Sequence, residues 1–243
     1  MQTLLDERYA PITSEVGFLE AALEEAARGL AEWRRELGLR VTAAPRSEPF
    51  PEVLLALEPL TSGGIPRELL VEHRDWTAYF NNSLRGTDAH GAMSVLAKRL
   101  GTRSVIARAK PHTMGKSKGR GRYGSVQFEL FGPNPTNHSN YLRSITATND
   151  GGRWVFFTTR EALPFENVEA YEAPRVRDRF TSELLAEYCR ALGIELFDPS
   201  AYGPGAVLVE SSATLPKDAR IMSLAQVQEF LGIEPGQATT APG

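Results

Sequence analysis

The sequence predicts an α+β protein: an antiparallel sheet of about five strands with helices mainly on one face, preceded by an N-terminal amphipathic helix. Three observations predict it. A helical apolar stripe comes first in the chain, short apolar runs with β-branched and aromatic residues dominate the middle, and a tight Asn-Asp-Gly-Gly turn joins two of those runs. With 243 residues, 42% of them apolar and 23% charged, the chain has enough apolar material to bury a core without disulfides or a structural metal.

The first expected element is a helix over residues 14–37. Val16, Leu19, Leu23, Ala26, Leu30, Trp33 and Leu37 recur at spacings of three and four, with Ser14 as N-cap and Gly38 as C-cap. Glu20, Glu24, Arg28 and Glu32 lie off that stripe, so the stripe is expected to dock on the rest of the chain. Residues 1–40 are read as this docking helix. Residues 41–67 hold Pro45, Pro49, Pro51, Pro59, Pro66 and Gly63-Gly64, and are read as a linker. Residues 68–235 form the α+β domain, and 236–243 a disordered tail.

Within the domain the expected strands are Trp76–Phe80, Ser104–Lys110, Ser125–Phe131, Leu142–Thr148, Trp154–Thr159 and Ala206–Glu210. The expected helices are Ala92–Leu100, Thr181–Leu192 and Leu224–Leu231. Asn149-Asp150-Gly151-Gly152 reads as a hairpin turn, because Asp-Gly supplies the positive φ angles that such turns need. Leu-Gly recurs at four expected helix ends, Leu37-Gly38, Leu100-Gly101, Leu192-Gly193 and Leu231-Gly232, as left-handed C-cap chemistry.

No basic start followed by an apolar run opens the chain, no run is long enough for a membrane span, and the single Cys189 precludes an internal disulfide. A soluble cytoplasmic protein is the expectation, without a membrane partner. Cys189 sits on the apolar side of its expected helix, as a buried structural cysteine would.

Charge is unevenly distributed. Residues 89–128 contain nine of the 27 basic residues and none of the 30 acidic ones. The loop before Ser125 places Lys116, Lys118, Arg120 and Arg122 among glycines, with Tyr123 as a stacking face. Basic side chains on a glycine-rich hairpin tip suit phosphates or an acidic protein surface. These five residues, with Arg108 and Lys110 on the preceding strand, form the expected partner-binding surface. A second feature, Asn81 to Gly91, precedes a helix and offers Arg85 and His90 as an anion pocket. The plainer reading is a turn in which Thr87 or Asp88 caps that helix.

Other motifs exclude more than they suggest. Gly119-Arg-Gly121-Arg-Tyr-Gly124 has the spacing of a dinucleotide fingerprint, but a strand follows it where that fold needs a helix. The run to Val126 resembles the glycine-rich loop of protein kinases, and His73-Arg74-Asp75 their catalytic triplet. The triplet precedes the loop and the remaining kinase segments are missing, so no kinase is implied. His73, His90, His112 and His138 have no metal-ligand spacing, and no cofactor motif is present. Arg175, Arg177 and Arg179 alternate with other residues and would share one face of a strand, or form a solvated connection.

These readings converge on a non-catalytic binding protein that engages an anionic partner through residues 89–128. The partner would be an acidic protein, as for a toxin-neutralising immunity protein, or a nucleic acid. The alternative is an enzyme acting on a phosphate-bearing substrate.

Overall fold

The computed structural model describes residues 1–115, 120–136 and 139–236. In chain order the elements are β1 (Glu15–Leu19), α1 (Leu23–Glu36), β2 (Val41–Arg46), β3 (Leu60–Thr61), β4 (Arg67–His73), β5 (Trp76–Asn81), α2 (His90–Leu100), β6 (Ser104–Lys110), β7 (Ser125–Phe131), β8 (Tyr141–Asp150), β9 (Arg153–Thr159), α3 (Ser182–Ala191), β10 (Ala206–Ser211), β11 (Ile221–Met222) and α4 (Leu224–Leu231). Short 3₁₀ turns fill several connections. Nine strands form one sheet in the order β2-β10-β4-β5-β1-β6-β7-β8-β9, with each neighbouring pair antiparallel; β3 and β11 form a separate two-stranded ribbon.

The sheet is therefore larger than the expected five strands, and its helices lie on both faces. Alternating strand residues Leu19, Leu70, Tyr79, Ile106, Phe131 and Val209 pack with Leu23, Leu30, Met93 and Leu96 of α1 and α2. Their neighbours Phe18, Leu69, Val71, Phe80, Ala107 and Phe128 face the other way, against Leu185 and Tyr188 of α3 and Val227 of α4. The period of two along each strand makes this division, and burial on both faces explains why β1 and β5 are buried at every position.

The N-terminal helix over 14–37 is not formed. The N-terminus carries only 3₁₀ turns at Leu4–Glu7 and Ile12–Ser14, and Glu15–Leu19 is a central strand. The helix is confined to Leu23–Glu36. Val16 and Leu19 continue the helical spacing of α1 while pointing to opposite sides of the sheet, Val16 toward α3 and Leu19 toward α1. Gly17 marks the strand: a Cβ there would lie 2.9 Å from the Met93 side chain, so glycine lets α2 pack directly on β1.

The proline-rich stretch read as a linker is part of the fold. Its β2 is an edge strand paired with β10, its β3 pairs with β11, and Val53, Leu54 and Leu57 of a 3₁₀ turn enter the core. Pro45 is tolerated in β2 because an edge strand can spare an amide donor. The expected strands and helices between Trp76 and Leu231 form with end shifts of a few residues. The β8–β9 turn holds Gly151 and Gly152 at positive φ, and Gly38, Gly101, Gly193 and Gly232 all follow helices at positive φ.

Candidate anion-binding site

The basic segment and the N-terminal acidic residues meet in a fixed order. Because β1 runs antiparallel to β6, Glu15 lies opposite Arg108. Rungs on either side follow: Glu7 with Arg122, Glu20 with Arg103, and Glu36 with Arg99. Arg122 donates to both Glu7 carboxylate oxygens at 2.7 and 2.8 Å and to Ser14 Oγ at 3.2 Å. Arg108 Nε donates to Glu15 at 2.6 Å. Burial pushes the Glu15 carboxyl up, and Arg108 with the Ala89 amide hold it down. Four of the nine basic residues are thus committed within the protein.

This corrects two expected partner contacts. Arg122 is only 6% exposed and fixes the base of the loop to the N-terminal turn rather than riding on a mobile tip. Its backbone is clamped as well, with Thr113 N–H donating to Arg122 O and Arg122 N–H to Thr113 Oγ1. Arg108 is held by the buried Glu15. Lys116 and Lys118 lie outside the described residues.

Two of the remaining cations, Lys110 and Arg120, meet Arg85 in one cleft. This cleft of about 380 Å³ lies between the last residue of β6, the β5–α2 turn, Met114, residues 120–123 and the end of α4. Arg85, Lys110 and Arg120 supply its charge beside the already paired Arg122, and Met114, Tyr123, Phe230 and Leu231 its apolar walls. Arg85 is presented by a turn at Gly86, where φ is 107° and a Cβ would meet Pro11 O at 2.6 Å. No carboxylate pairs with Arg85 or Lys110 among the described residues. Among the described residues Arg120 pairs only with the exposed Glu229, at 3.8 Å, a contact of little energetic weight. Burial, followed by the nearby charges of Arg108, Arg122 and Arg85, lowers the Lys110 ammonium to about 8, against a smaller opposing effect from Glu15. Arg122 Nε, buried in the wall, has no hydrogen-bond acceptor among the described residues.

The expected pairing of Arg85 with His90 does not occur, since His90 is no part of this cleft. It opens α2, with Nδ1 3.0 Å from the Tyr141 hydroxyl and 3.6 Å from Glu129, whose carboxylate raises its proton affinity. The α2 N-terminus is not capped by Thr87 or Asp88. Glu15 accepts the Ala89 N–H at 2.8 Å, while Thr87 donates to Ile12 O and accepts from the Asn81 amide.

His112 anchors the loop base by accepting from the Gly124 amide, and His73 is fully buried against Tyr202 and Phe18. His138 lies outside the described residues. Cys189 is buried, and burial raises its thiol pKa. Residues 176–178 form a 3₁₀ turn, so the three nearby arginines do not share a strand face.

Sequence reasoning found Tyr123 but missed the other apolar walls, Met114, Phe230 and Leu231. Phe230 carried a signal, since it falls off the α4 stripe of Leu224, Val227 and Leu231 and is 44% exposed. Comparison with protein-family models, curated proteins and solved structures finds no match to this chain. No helix among the described residues is long and apolar enough to cross a membrane.

Proposed function

We propose that the chain is a non-catalytic binding protein that captures an acidic protein partner at the cleft of Arg85, Lys110, Arg120 and Tyr123. The observation that carries this reading is that three cations without a buried counter-ion among the described residues, Arg85, Lys110 and Arg120, line one concave place. An acidic side chain entering there would meet the partly desolvated Lys110 flanked by the exposed Arg85 and Arg120, which favours specificity as well as encounter. Neutralisation of another protein, as immunity proteins perform on toxins, fits this reading by analogy of class.

A nucleic acid fits less well. Binding one requires several phosphate contacts along a basic track, and Arg99, Arg103, Arg108 and Arg122 are engaged with carboxylates. An enzyme acting on a phosphate-bearing substrate has weaker support still, because among the described residues no imidazole or carboxylate lines the cleft to exchange protons.

The test is capture from native lysate at low and high salt, with and without nuclease, by wild type and by the triple variant Arg85→Ser, Lys110→Ser, Arg120→Ser. A nuclease-resistant protein retained by wild type and lost by the variant is the expected result. Equal retention by both proteins sinks the proposal, and loss of capture on nuclease treatment transfers the partner to nucleic acid.

A further inference from the structure

The cleft is not only cationic. Tyr123 and Phe230 are 43% and 44% exposed, and both line the same cavity as Lys110 and Arg85, together with Met114 and Leu231. Exposed large apolar side chains are unremarkable when scattered. Gathered around a concave cationic site, they specify a second feature of whatever binds. The nearby Arg220 guanidinium lies over the Phe230 ring, 4.8 Å from its centre, which adds a cation–π contact to the ring's setting.

We infer that the cleft recognises a short extended protein segment in which a carboxylate side chain stands next to an aromatic or large aliphatic one. The carboxylate meets Lys110 and Arg85, and the apolar neighbour packs on Tyr123 and Phe230. This rests on the reading of the cleft as an anion site for a protein and names what that protein presents. Charge complementarity selects the acidic residue. Size selects the segment: a cavity of about 380 Å³ is near the small end of ligand sites and admits one or two side chains rather than a helix face. Diffuse acidity satisfies only the charged half of the lining.

Two fluorescein-labelled nonapeptides of equal charge test this, one alternating Asp with Phe and Leu, the other with each apolar residue replaced by Ser. Fluorescence anisotropy at physiological salt is expected to show the apolar-containing peptide binding at least about tenfold more tightly, the effect of one well-placed aromatic anchor. Tyr123→Ala with Phe230→Ala, both at exposed positions, should erase that difference and leave the weak binding of the serine peptide. Arg85→Ala with Lys110→Ala should weaken both peptides. Equal affinity of wild type for the two peptides overturns the inference and leaves the anion site standing. Binding of neither peptide, while inorganic phosphate or a free nucleotide perturbs the cleft residues by NMR, overturns it in favour of a phosphate ligand. Binding of neither peptide and no response to phosphate removes both the inference and the proposed anion site.

Discussion

Glu15 and Arg108 face each other across β1 and β6, and this one register places the N-terminal acidic residues and the basic segment in reverse order along a shared edge of contacts. Glu15 is the more deeply buried partner, and it also closes the N-terminus of α2 by accepting the Ala89 amide. Loss of the arginine strands a buried carboxylate, whereas loss of the glutamate's charge leaves a guanidinium that reaches solvent. Arg108→Ala should therefore destabilise the fold by about 2–3 kcal/mol, at the low end for a broken buried pair because Arg108 is partly exposed. Glu15→Gln retains an acceptor for Ala89 and should cost about 1 kcal/mol. Urea unfolding of the two variants checks the order, and an Arg108→Ala protein as stable as wild type would show that the pair does not hold β1 to β6.

Acid should weaken the protein through His73. Its ring is fully buried between Phe18 and Tyr202, Nδ1 bonds Ala201 O, and Nε2 has no partner among the described residues. Burial, and then the charge of Arg74, lowers its pKa from 6.5 to about 4. Between those values the unfolded chain takes up a proton that the folded chain refuses. Stability from this group is thus complete above pH 6.5 and is lost as pH falls toward 4, by at most about 3 kcal/mol. His73→Phe keeps the ring stack and removes the titration. Its stability-against-pH curve should flatten relative to wild type between pH 6.5 and 4, and parallel curves for the two proteins would contradict the assignment.

Cys189 should resist thiol reagents in the native state. It is fully buried in α3, and burial disfavours the thiolate that reacts. Labelling by a disulfide reagent at pH 8 should be slow until denaturant is added, then stoichiometric. Fast labelling of folded protein would mean that α3 opens from the sheet.

Much of the fold was legible where one periodicity ruled a segment. β5 to β9, α2, α3, β10 and α4 carry their own pattern and turn signals, and the four Leu-Gly helix ends read correctly. β1 was illegible because Val16, Leu19 and Leu23 satisfy a helical spacing by coincidence of a strand running into a helix. β4 was hidden because Leu69-Leu70-Val71, buried on both faces, shows no alternation. The site was legible by residue type and illegible by partner. Lys110, Arg120, Tyr123 and Arg85 stood out, but Arg108 and Arg122 looked identical to them, since their carboxylates lie 93 and 115 positions away. A run of like charge records a local excess, and only the topology decides whether distant residues cancel it.

Lys110 sets stability against binding. Its ammonium is largely buried beside three arginines, and this lowers its pKa to about 8. For a lysine lowered in this way, the folded state disfavours the charged form. The cost to stability is therefore full below about 8, and it fades as pH rises toward the unfolded value of 10.5. Lys110→Met keeps the stem and removes the charge, so at pH 7 it should stabilise the fold by about 2 kcal/mol in urea or thermal unfolding. The same change should weaken an acidic ligand, because the anion that binds wild type is the counter-ion the cleft lacks. Binding should also track the Lys110 proton: wild-type affinity for the apolar-containing acidic peptide should be constant up to about pH 7.5. Above that it should fall, by no more than about tenfold per pH unit, as Lys110 deprotonates. Lys110→Met should bind weakly with little dependence on pH in the same range, since Arg85 and Arg120 keep their charge throughout. A variant that is both more stable and a poorer binder is the mark of a residue retained for function at the expense of the fold. If Lys110→Met leaves stability and the pH profile of binding unchanged, the ammonium is solvated outside the cleft, and the cleft loses the cation that most requires a ligand.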